Sequence, residues 1–444
     1  MGFKIAGFGI AAPGRKDAHG QVLGQVFNTE QFVTHQFNKR VTGIKSHFAK
    51  GALREVLEKA KETVKETGIV ERDILYDKQV KLPNTYLCAE AVIRSLKSAG
   101  MRASEIEGFI YASDTPDFIY PSNGILVADR LGIPTDNEYS RHSLACVSFA
   151  KALKEAIGWL ENGDCNNVVV VSGDITSRLQ LPENLRELFL FGDGFVSLIL
   201  KKDKVGSVTY SNIGVDKNLA KLFLHRPSNS GDMLSLDEHQ AYGLGNDRGI
   251  ATIGLCEKEL WPWLTKRFTQ LAGVEIDEHV KIIIPQATNG VLHGGLETYK
   301  RKTSQDIEKN VLPLSSCKHG NTGAGAIPLA LIEGLESGAI KPGEKIILII
   351  VGVGGLYTAL MIDPTSEEPH KRVRLSADDD KPNFEALVNK RLQRREKTSK
   401  TKNHLSKYEL QMLLQPLNPP PLHDLDQITP KKRESLLNRK EVLL

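Results

Sequence analysis

The chain has 444 residues, enough for more than one domain-sized core, and its 40% hydrophobic and 25% charged residues are typical of a soluble globular protein. A net charge of +4 is small for this length and gives no general argument for nucleic-acid binding. No uninterrupted apolar run approaches the roughly 20 residues that a membrane helix needs. The five cysteines are scattered without a CxxC pair, which argues against disulfides and a zinc site.

The N-terminal stretch has no cationic leader before its apolar residues, so we expect a first strand over Lys4 to Pro13 and a cytoplasmic protein. A strongly charged segment, residues 53–78, spaces Glu and Lys four apart and predicts a surface helix or cap, or else a docking element for a partner. An amphipathic helix from Tyr86 to Gly100 then leads into a buried strand from Glu107 to Ser113.

The next stretch, RHSLACVSFA from Arg141 to Ala150, runs into an apolar-periodic segment. Cys146 is flanked by small residues at the point where a strand-like run gives way to a helical pattern. Unpaired N–H groups and the helix dipole favour a thiolate at such a position, so the pattern predicts a nucleophile. A buried, inert cysteine is the alternative for any single cysteine.

A similar pattern recurs 175 residues later in the chain. Cys146 and Asn321 each stand 17 residues before a helix-ending glycine, Gly163 and Gly338. The windows end in LENG and LESG, and each is followed by an apolar strand run. We interpret this as an internal duplication in which the two halves face each other and bring Cys146 and Asn321 to one cavity.

The second half begins near Val205 and contains a predicted strand from Lys281 to Ala287, a helix from Gly290 to Lys300, and a glycine-interrupted pair of strands from Lys345 to Ile362. We place the end of the core at Asp363.

The remainder, residues 364–444, is rich in charge, carries three consecutive prolines from Pro419, and has few apolar residues. Such a composition predicts a mostly disordered tail. The segment Lys407 to Leu414 has helical spacing and is a candidate docking helix within it.

Several motifs together resemble the β-ketoacyl-ACP synthase III group of the thiolase superfamily. They are LACVSF around Cys146, LFGDG from Leu190, KHGNTGAGAIPLAL from Lys318, and VGVGG from Val351. The resemblance covers roughly residues 1 to 362. It implies an α/β, thiolase-like, five-layered α-β-α-β-α fold made of two duplicated halves, residues 1–204 and 205–363. It also implies a homodimer formed across the first-half sheets, and CoA or phosphopantetheine thioesters as substrates with no cofactor or metal.

The resemblance also implies roles for individual residues. Cys146 would accept the acyl group, and its own N–H with that of Gly354 would form the oxyanion hole. Asn321 would donate to the carbonyl of the second thioester, although a helix N-cap alone could explain an asparagine there. Arg40 would contact the phosphopantetheine carrier, or else be a solvated loop arginine. In the FGDG motif we expect close backbone approach at the glycines and a turn role for Asp193.

One position departs from the family pattern. Ketosynthases III carry a histidine immediately before Gln-Ala, where it helps to decarboxylate malonyl-ACP, whereas Pro285 precedes Gln286 in this chain. Proline offers no proton and no N–H, and Gln286 can donate a hydrogen bond but cannot be a general base. The remaining candidates to replace the histidine are His142, His225 and His293.

The sequence therefore predicts an acyltransferase that takes an acyl group from acyl-CoA or acyl-ACP onto Cys146. It would pass the group to a carbon nucleophile by ketosynthase-like condensation, or to an oxygen or nitrogen acceptor, in fatty-acid, polyketide or secondary-metabolite synthesis. The alternative is a catalytically silent thiolase-fold partner or scaffold subunit, which would have no need to retain Cys146.

Overall fold

The structure is a computed structural model that describes residues 2–17, 20–28, 30–32, 34, 57–58, 60–75, 84–118, 120–134, 136–178, 190–220, 247–376, 381–384, 386–387 and 389–390. The strands are β1 (Gly2–Ala11), β2 (Gln25–Asn28), β3 (Glu71–Ile74), β4 (Gly108–Ala112), β5 (Glu138–His142), β6 (Asn167–Ile175), β7 (Asp193–Asp203), β8 (Ser207–Ser211), β9 (Gly214–Val215), β10 (Val280–Ile283), β11 (Lys345–Gly352), β12 (Leu356–Asp363) and β13 (Lys371–Val373). The α-helices with defined bounds are α1 (Asn84–Ala99), α2 (Asn123–Leu131), α3 (Ser148–Asn162), α4 (Lys217–Ala220), α5 (Asp247–Ala272), α6 (Asn289–Thr303), α7 (Ser316–His319) and α8 (Ala326–Glu336).

The first sheet has the strand order β1, β7, β6, β4, β5. Its central strand β6 is buried along its whole length, because helices cover both faces of the sheet. Since successive side chains of a strand point to opposite faces, Val169 and Val171 pack with α1 and α2. Val168 and Val170 pack with α3 and α8 on the other face.

The second sheet has the order β10, β11, β12, β8, β13, with β9 paired to β12. Alternate residues of β11, such as Leu348, belong to the same core as α3 and α8. These two helices therefore form the middle layer between the sheets. On the far face α5 covers the second sheet, where the Trp263 ring meets the Tyr357 ring edge-on at 5.7 Å. The predicted five-layered α-β-α-β-α arrangement of two similar halves is confirmed.

Two predicted elements have different bounds. The strand expected from Lys281 to Ala287 ends at Ile283, because Pro285 cannot donate to a strand ladder. The charged segment 53–78 is helical only to residue 67. Gly68 then adopts a φ of +75°, and the chain continues as β3, which pairs antiparallel with β2. The expectation of one continuous helix over this segment is therefore wrong.

The core continues past the expected boundary at Asp363. β13 pairs in parallel with β8, and the N–H of Val208 donates to Nδ1 of His370 at 2.9 Å. Further along, Phe384 is 1% exposed, and Lys381 Nζ lies 2.7 Å from the Asp216 carboxylate. The boundary at Asp363 is therefore placed too early. Residues 391–444, including the candidate docking helix, lie outside the described residues.

Candidate active site

The turn between β5 and α3 presents Cys146 two residues before the first residue of the helix. Ala145 has a φ of +50°, which is a strained conformation for an alanine. The Asp114 carboxylate accepts a hydrogen bond from Ser143 Oγ at 2.6 Å and another from the backbone of Ala145. The Leu144 N–H donates to Ser148 Oγ at 2.7 Å. Contacts on both sides of the cysteine thus hold the strained turn in place.

Cys146 lines a cavity of about 490 Å³ between the two halves. Two other residues predicted from the sequence, Asn321 and Gln286, line the same cavity, as does Pro285. The remaining wall residues are Thr63, Glu66, Thr67, Leu190, Phe191, Gly254, Leu255, Glu257, Lys258, Ala287, Thr288, Gly290, Val291, Ala326, Ile327, Val351 and Val353. The sequence prediction that the duplication brings Cys146 and Asn321 to one cavity is confirmed by this geometry.

The protonation state of Cys146 differs from the expectation. Burial raises the pKa of its thiol far above the usual value, and the negative charges of Asp114, Asp174 and Glu257 raise it further. Burial and these charges outweigh the preference for a thiolate at a helix start, so the resting thiol is protonated. The expected preformed thiolate is therefore wrong.

Asn321 is held in a fixed orientation by its own backbone and side chain. Its N–H donates to the Leu190 carbonyl at 2.8 Å, and its Oδ1 accepts from the Gly323 N–H at 2.9 Å. The second contact lies at the start of the 3-10 turn Gly323–Gly325, which precedes α8. No partner of Nδ2 is recorded within the described part of the chain, so this amide group can donate a hydrogen bond into the cavity.

Asp174, at the end of β6, joins the two halves beneath the site. Its Oδ2 accepts from the Ala324 N–H at 2.8 Å, and its Oδ1 accepts from Ser113 Oγ at 2.9 Å. Gly323 lies so close that an added Cβ would collide with this carboxylate. The Asn321 turn of the second half is therefore seated directly on the first sheet.

The FGDG motif has the structural role expected for it. Asp193 Oδ2 accepts from the Leu75 N–H at 2.8 Å, and Oδ1 accepts from the Ser177 N–H at 2.8 Å. A Cβ at Gly192 would collide with the carbonyl oxygen of His319. The prediction of a turn aspartate and close backbone approach is confirmed.

Gln286 is 3% exposed, and backbone groups occupy both ends of its amide. Its Nε2 donates to the Ile284 carbonyl at 2.9 Å, and its Oε1 accepts from the Ser315 N–H at 2.8 Å. The side chain thus braces the turn after β10 against the start of α7. The second N–H of the amide makes no hydrogen bond to the described residues.

The end of β11 and the loop that follows it adjoin Cys146, as the resemblance implied. Val351 and Val353 line the cavity, and an added Cβ on Gly352 would lie 3.5 Å from the backbone nitrogen of Cys146. Gly354, the expected oxyanion donor, lies further along the same loop with a φ of +84°. Arg40 lies outside the described residues.

The candidate histidines do not replace the missing one. His142 pairs through Nε2 with Glu155 at 2.6 Å, and neither His142 nor His293 belongs to the described wall of the cavity. His225 lies outside the described residues. Among the residues that the structure describes, the cavity wall therefore contains no histidine.

Three features of the site were missed by sequence reasoning. The first is Glu257 on α5, which lines the cavity. The second is His319, two residues before Asn321, which lies between Asp73 Oδ2 at 2.6 Å and Glu333 Oε1 at 2.7 Å. The charged segment 53–78 also contributes, because Thr63, Glu66 and Thr67 line the cavity. Charge pattern alone cannot show which of these side chains face inward.

Comparison with known proteins agrees with this architecture. The family described as 3-oxoacyl-[acyl-carrier-protein (ACP)] synthase III matches residues 142–217, and its C-terminal family matches residues 272–363. A beta-ketoacyl-[acyl-carrier-protein] synthase III of Neisseria meningitidis is 28% identical over 302 residues, which cover 67% of this chain and 88% of that protein. The beta-ketoacyl-[acyl-carrier-protein] synthase III of Desulfitobacterium hafniense is 27% identical over 305 residues, which cover 66% of this chain and 86% of that protein.

Solved structures share the fold at lower identity. The 3-oxoacyl-[acyl-carrier-protein] synthase III from Aquifex aeolicus superposes with a TM-score of 0.60 at 22% identity, over 82% of this chain and 100% of that one. OleA from Xanthomonas campestris, with cerulenin bound, superposes with a TM-score of 0.62 at 16% identity, over 82% of this chain and 97% of that one.

Within the described residues no helix is both long and apolar enough to span a bilayer. The two sheets with their shared helical layer and the two family matches agree with each other. The chain has a thiolase-like fold, and over residues 142–217 and 272–363 it matches the 3-oxoacyl-[acyl-carrier-protein (ACP)] synthase III families.

Proposed function

We propose that this protein is an acyltransferase that loads an acyl group from acyl-CoA or acyl-ACP onto Cys146 and passes it to a second substrate. The observation that carries the proposal is that Cys146 and Asn321 line one cavity of about 490 Å³. This volume lies within the range typical of small-molecule sites. Leu190, Phe191 and Ile327 give its wall an apolar part that suits an acyl chain.

Acyl loading begins when the Cys146 sulfur attacks the thioester carbonyl. Negative charge then develops on the carbonyl oxygen, and backbone N–H groups at Cys146 and in the adjoining loop, with Gly354 as our candidate, stabilise it. Collapse of this intermediate releases the CoA or carrier thiol and leaves the acyl group on Cys146. No metal or cofactor enters this step.

In the transfer step, the Nδ2 of Asn321 donates to the carbonyl of the second thioester. Its orientation is already fixed by the Gly323 contact, so little reorganisation is needed on binding. A carbon nucleophile gives condensation, and an oxygen or nitrogen acceptor gives simple acyl transfer. We propose a homodimer that pairs through β5, because β5 is the edge strand of the first sheet and its outer backbone groups have no strand partner among the described residues.

We further propose that condensation with malonyl-ACP is slow relative to loading. Decarboxylation needs two donors at the malonyl carbonyl, and Pro285 stands in the cavity wall where the family has a histidine. Loss of one such donor typically costs about 10²–10³ in rate. A catalytically silent scaffold is the weaker alternative, since a strained turn and a cavity are both maintained around Cys146.

The test is a single-turnover experiment on enzyme preloaded with acetyl-CoA. After addition of malonyl-ACP, carbon dioxide release is compared with the loading rate in the same preparation. We expect slow release, a gain on the order of 100-fold in Pro285→His, and no gain in the matched control Pro285→Ala. Release as fast as loading in the unmodified enzyme, with no gain in Pro285→His, would contradict the proposal.

A further inference from the structure

Helix α5 places Glu257 in the wall of the cavity that Cys146 lines. No hydrogen bond or ion pair of the Glu257 carboxylate is recorded within the described part of the chain. Its neighbour Glu259, by contrast, is engaged by Arg301 at 3.2 Å and Lys302 at 2.9 Å. The fold thus places the Glu257 carboxylate in the cavity wall without giving it a hydrogen-bond or ion-pair partner among the described residues.

The Glu257 carboxylate is close enough to Cys146 to affect the ionisation of its thiol. Its charge is one of the causes that raise the pKa of the Cys146 thiol, and burial raises the pKa of Glu257 itself to about 8. The other titratable groups in the described cavity wall are Glu66 and Lys258. Lys258 lies along α6, where its side-chain carbons fill the space beside Gly294.

Among the described residues, the cavity wall contains no histidine that could take the proton of Cys146. Because burial, and after it three carboxylates, oppose a preformed thiolate, the proton must leave Cys146 as the carbon–sulfur bond forms, so that charge passes to the substrate oxygen. A general base works best when its pKa lies near the operating pH. A pantetheine thiol, with a pKa near the usual value of about 8.5 for an alkyl thiol, can then accept the same proton.

We propose that Glu257 is the acid–base residue of acyl loading, accepting the Cys146 proton and delivering it to the departing thiol. The S–H bond of Cys146 breaks as its sulfur bonds to the acyl carbon. The bond from that carbon to the CoA or phosphopantetheine sulfur then breaks, and this sulfur takes the proton from Glu257. No other reactant is needed. The inference rests on the proposed function, because it assigns a role within the loading step.

The test compares the loading rate of the full-length protein with those of Glu257→Gln, Glu257→Asp and the control Glu259→Gln, by intact mass between pH 6.5 and 9.5. The donors are acetyl-, butyryl- and octanoyl-CoA. We expect the wild-type rate to rise with pH and level off near pH 8. Glu257→Gln should be on the order of 100-fold slower and should lose this plateau, its rate rising with pH as the thiol ionises directly. Glu257→Asp should restore the plateau at a reduced rate, and Glu259→Gln should match the wild type.

A Glu257→Gln rate within about threefold of wild type, with an unchanged pH profile, would overturn the inference and leave the proposed function standing. If Glu257→Gln does not fold, the wild-type profile decides. A wild-type rate that rises about tenfold per pH unit to pH 9.5 without levelling would show direct ionisation of the thiol and would also overturn it. The absence of any wild-type adduct with all three donors would refute the proposed function and the inference together.

Discussion

Replacing His319 with glutamine should destabilise the protein in a pH-dependent way. The imidazole lies between the carboxylates of Asp73 and Glu333 and is 16% exposed. Burial alone would lower its pKa, but the hydrogen bonds and charges of Asp73 and Glu333 outweigh burial and raise it to about 9. Burial favours the neutral form of Asp73, whereas contacts with His319 and Ser315 outweigh burial at Glu333 and lower its pKa. Glu333 is therefore the main counter-charge.

The expected loss in free energy of unfolding follows from the size of the His319 pKa shift. A change of the His319 pKa from the ordinary histidine value of 6.5 to about 9, at 1.36 kcal/mol per pKa unit, corresponds to about 3 kcal/mol. Because the folded-state pKa is raised, this stabilisation is fully present below about pH 6.5 and is lost as the pH rises through about 9. Loss of the charge also leaves two carboxylates facing each other, which adds a cost wherever both are ionised.

The assay is urea unfolding of His319→Gln and wild type at pH 6, 7.5, 9 and 10. We expect the difference in free energy of unfolding to shrink by about 3 kcal/mol between pH 6 and pH 10. The control is His293→Gln, an exposed histidine, which should stay within about 0.5 kcal/mol of wild type. A difference for His319→Gln that is independent of pH, or below about 1 kcal/mol at pH 6, would refute the reasoning.

Two further predictions test the packing of Phe384 in the C-terminal segment and the hydrogen bond that Asn321 would donate to the second thioester. Phe384→Ala removes a side chain that is 1% exposed and should cost about 3–5 kcal/mol. With about 2.1 cal/mol/K of unfolding entropy per residue, the compact unit Met1–Arg395 should melt about 4–6 °C lower. A shift below about 1 °C, equal to that of the exposed-site control Val22→Ala, would mean that this segment does not belong to the core. Asn321→Ala should load acyl groups at nearly the wild-type rate but transfer them about 10²-fold more slowly, measured by decay of isolated acyl-enzyme on adding malonyl-ACP. Equal loss in both steps would show a structural role for Asn321 instead.

The fold could be predicted largely because its two halves repeat one pattern. Apolar strand runs such as β6 and β11 each follow a helix, and the glycines after those helices mark the repeat. The short strands could not be predicted in this way. β3 and β13 are rich in charge, as in ERDI and KRV, and they form because β2 and β8 offer backbone partners that are remote in sequence.

The site could be predicted only in part. Cys146 and Asn321 occupy corresponding places in the repeat, so the sequence pointed to both. Glu257, Lys258 and Glu259 are consecutive acidic and basic residues on one helix, and only the fold shows that Glu259 pairs with α6 while Glu257 lines the cavity. The protonated state of Cys146 depends first on its burial and then on the charges of Asp114, which follows β4, and Asp174, which lies in β6. Local sequence therefore pointed to the candidate nucleophile but not to the charges around it.

The central claim is that Cys146 carries the acyl group. The direct measurement is the intact mass of wild type and Cys146→Ala after incubation with a panel of acyl-CoA thioesters, followed by peptide mapping of the adduct. We predict one acyl group on wild type, located on the peptide that contains Cys146, and none on Cys146→Ala. An adduct of the same mass that persists in Cys146→Ala, or maps to Cys317 or another residue of the wild type, would contradict the account.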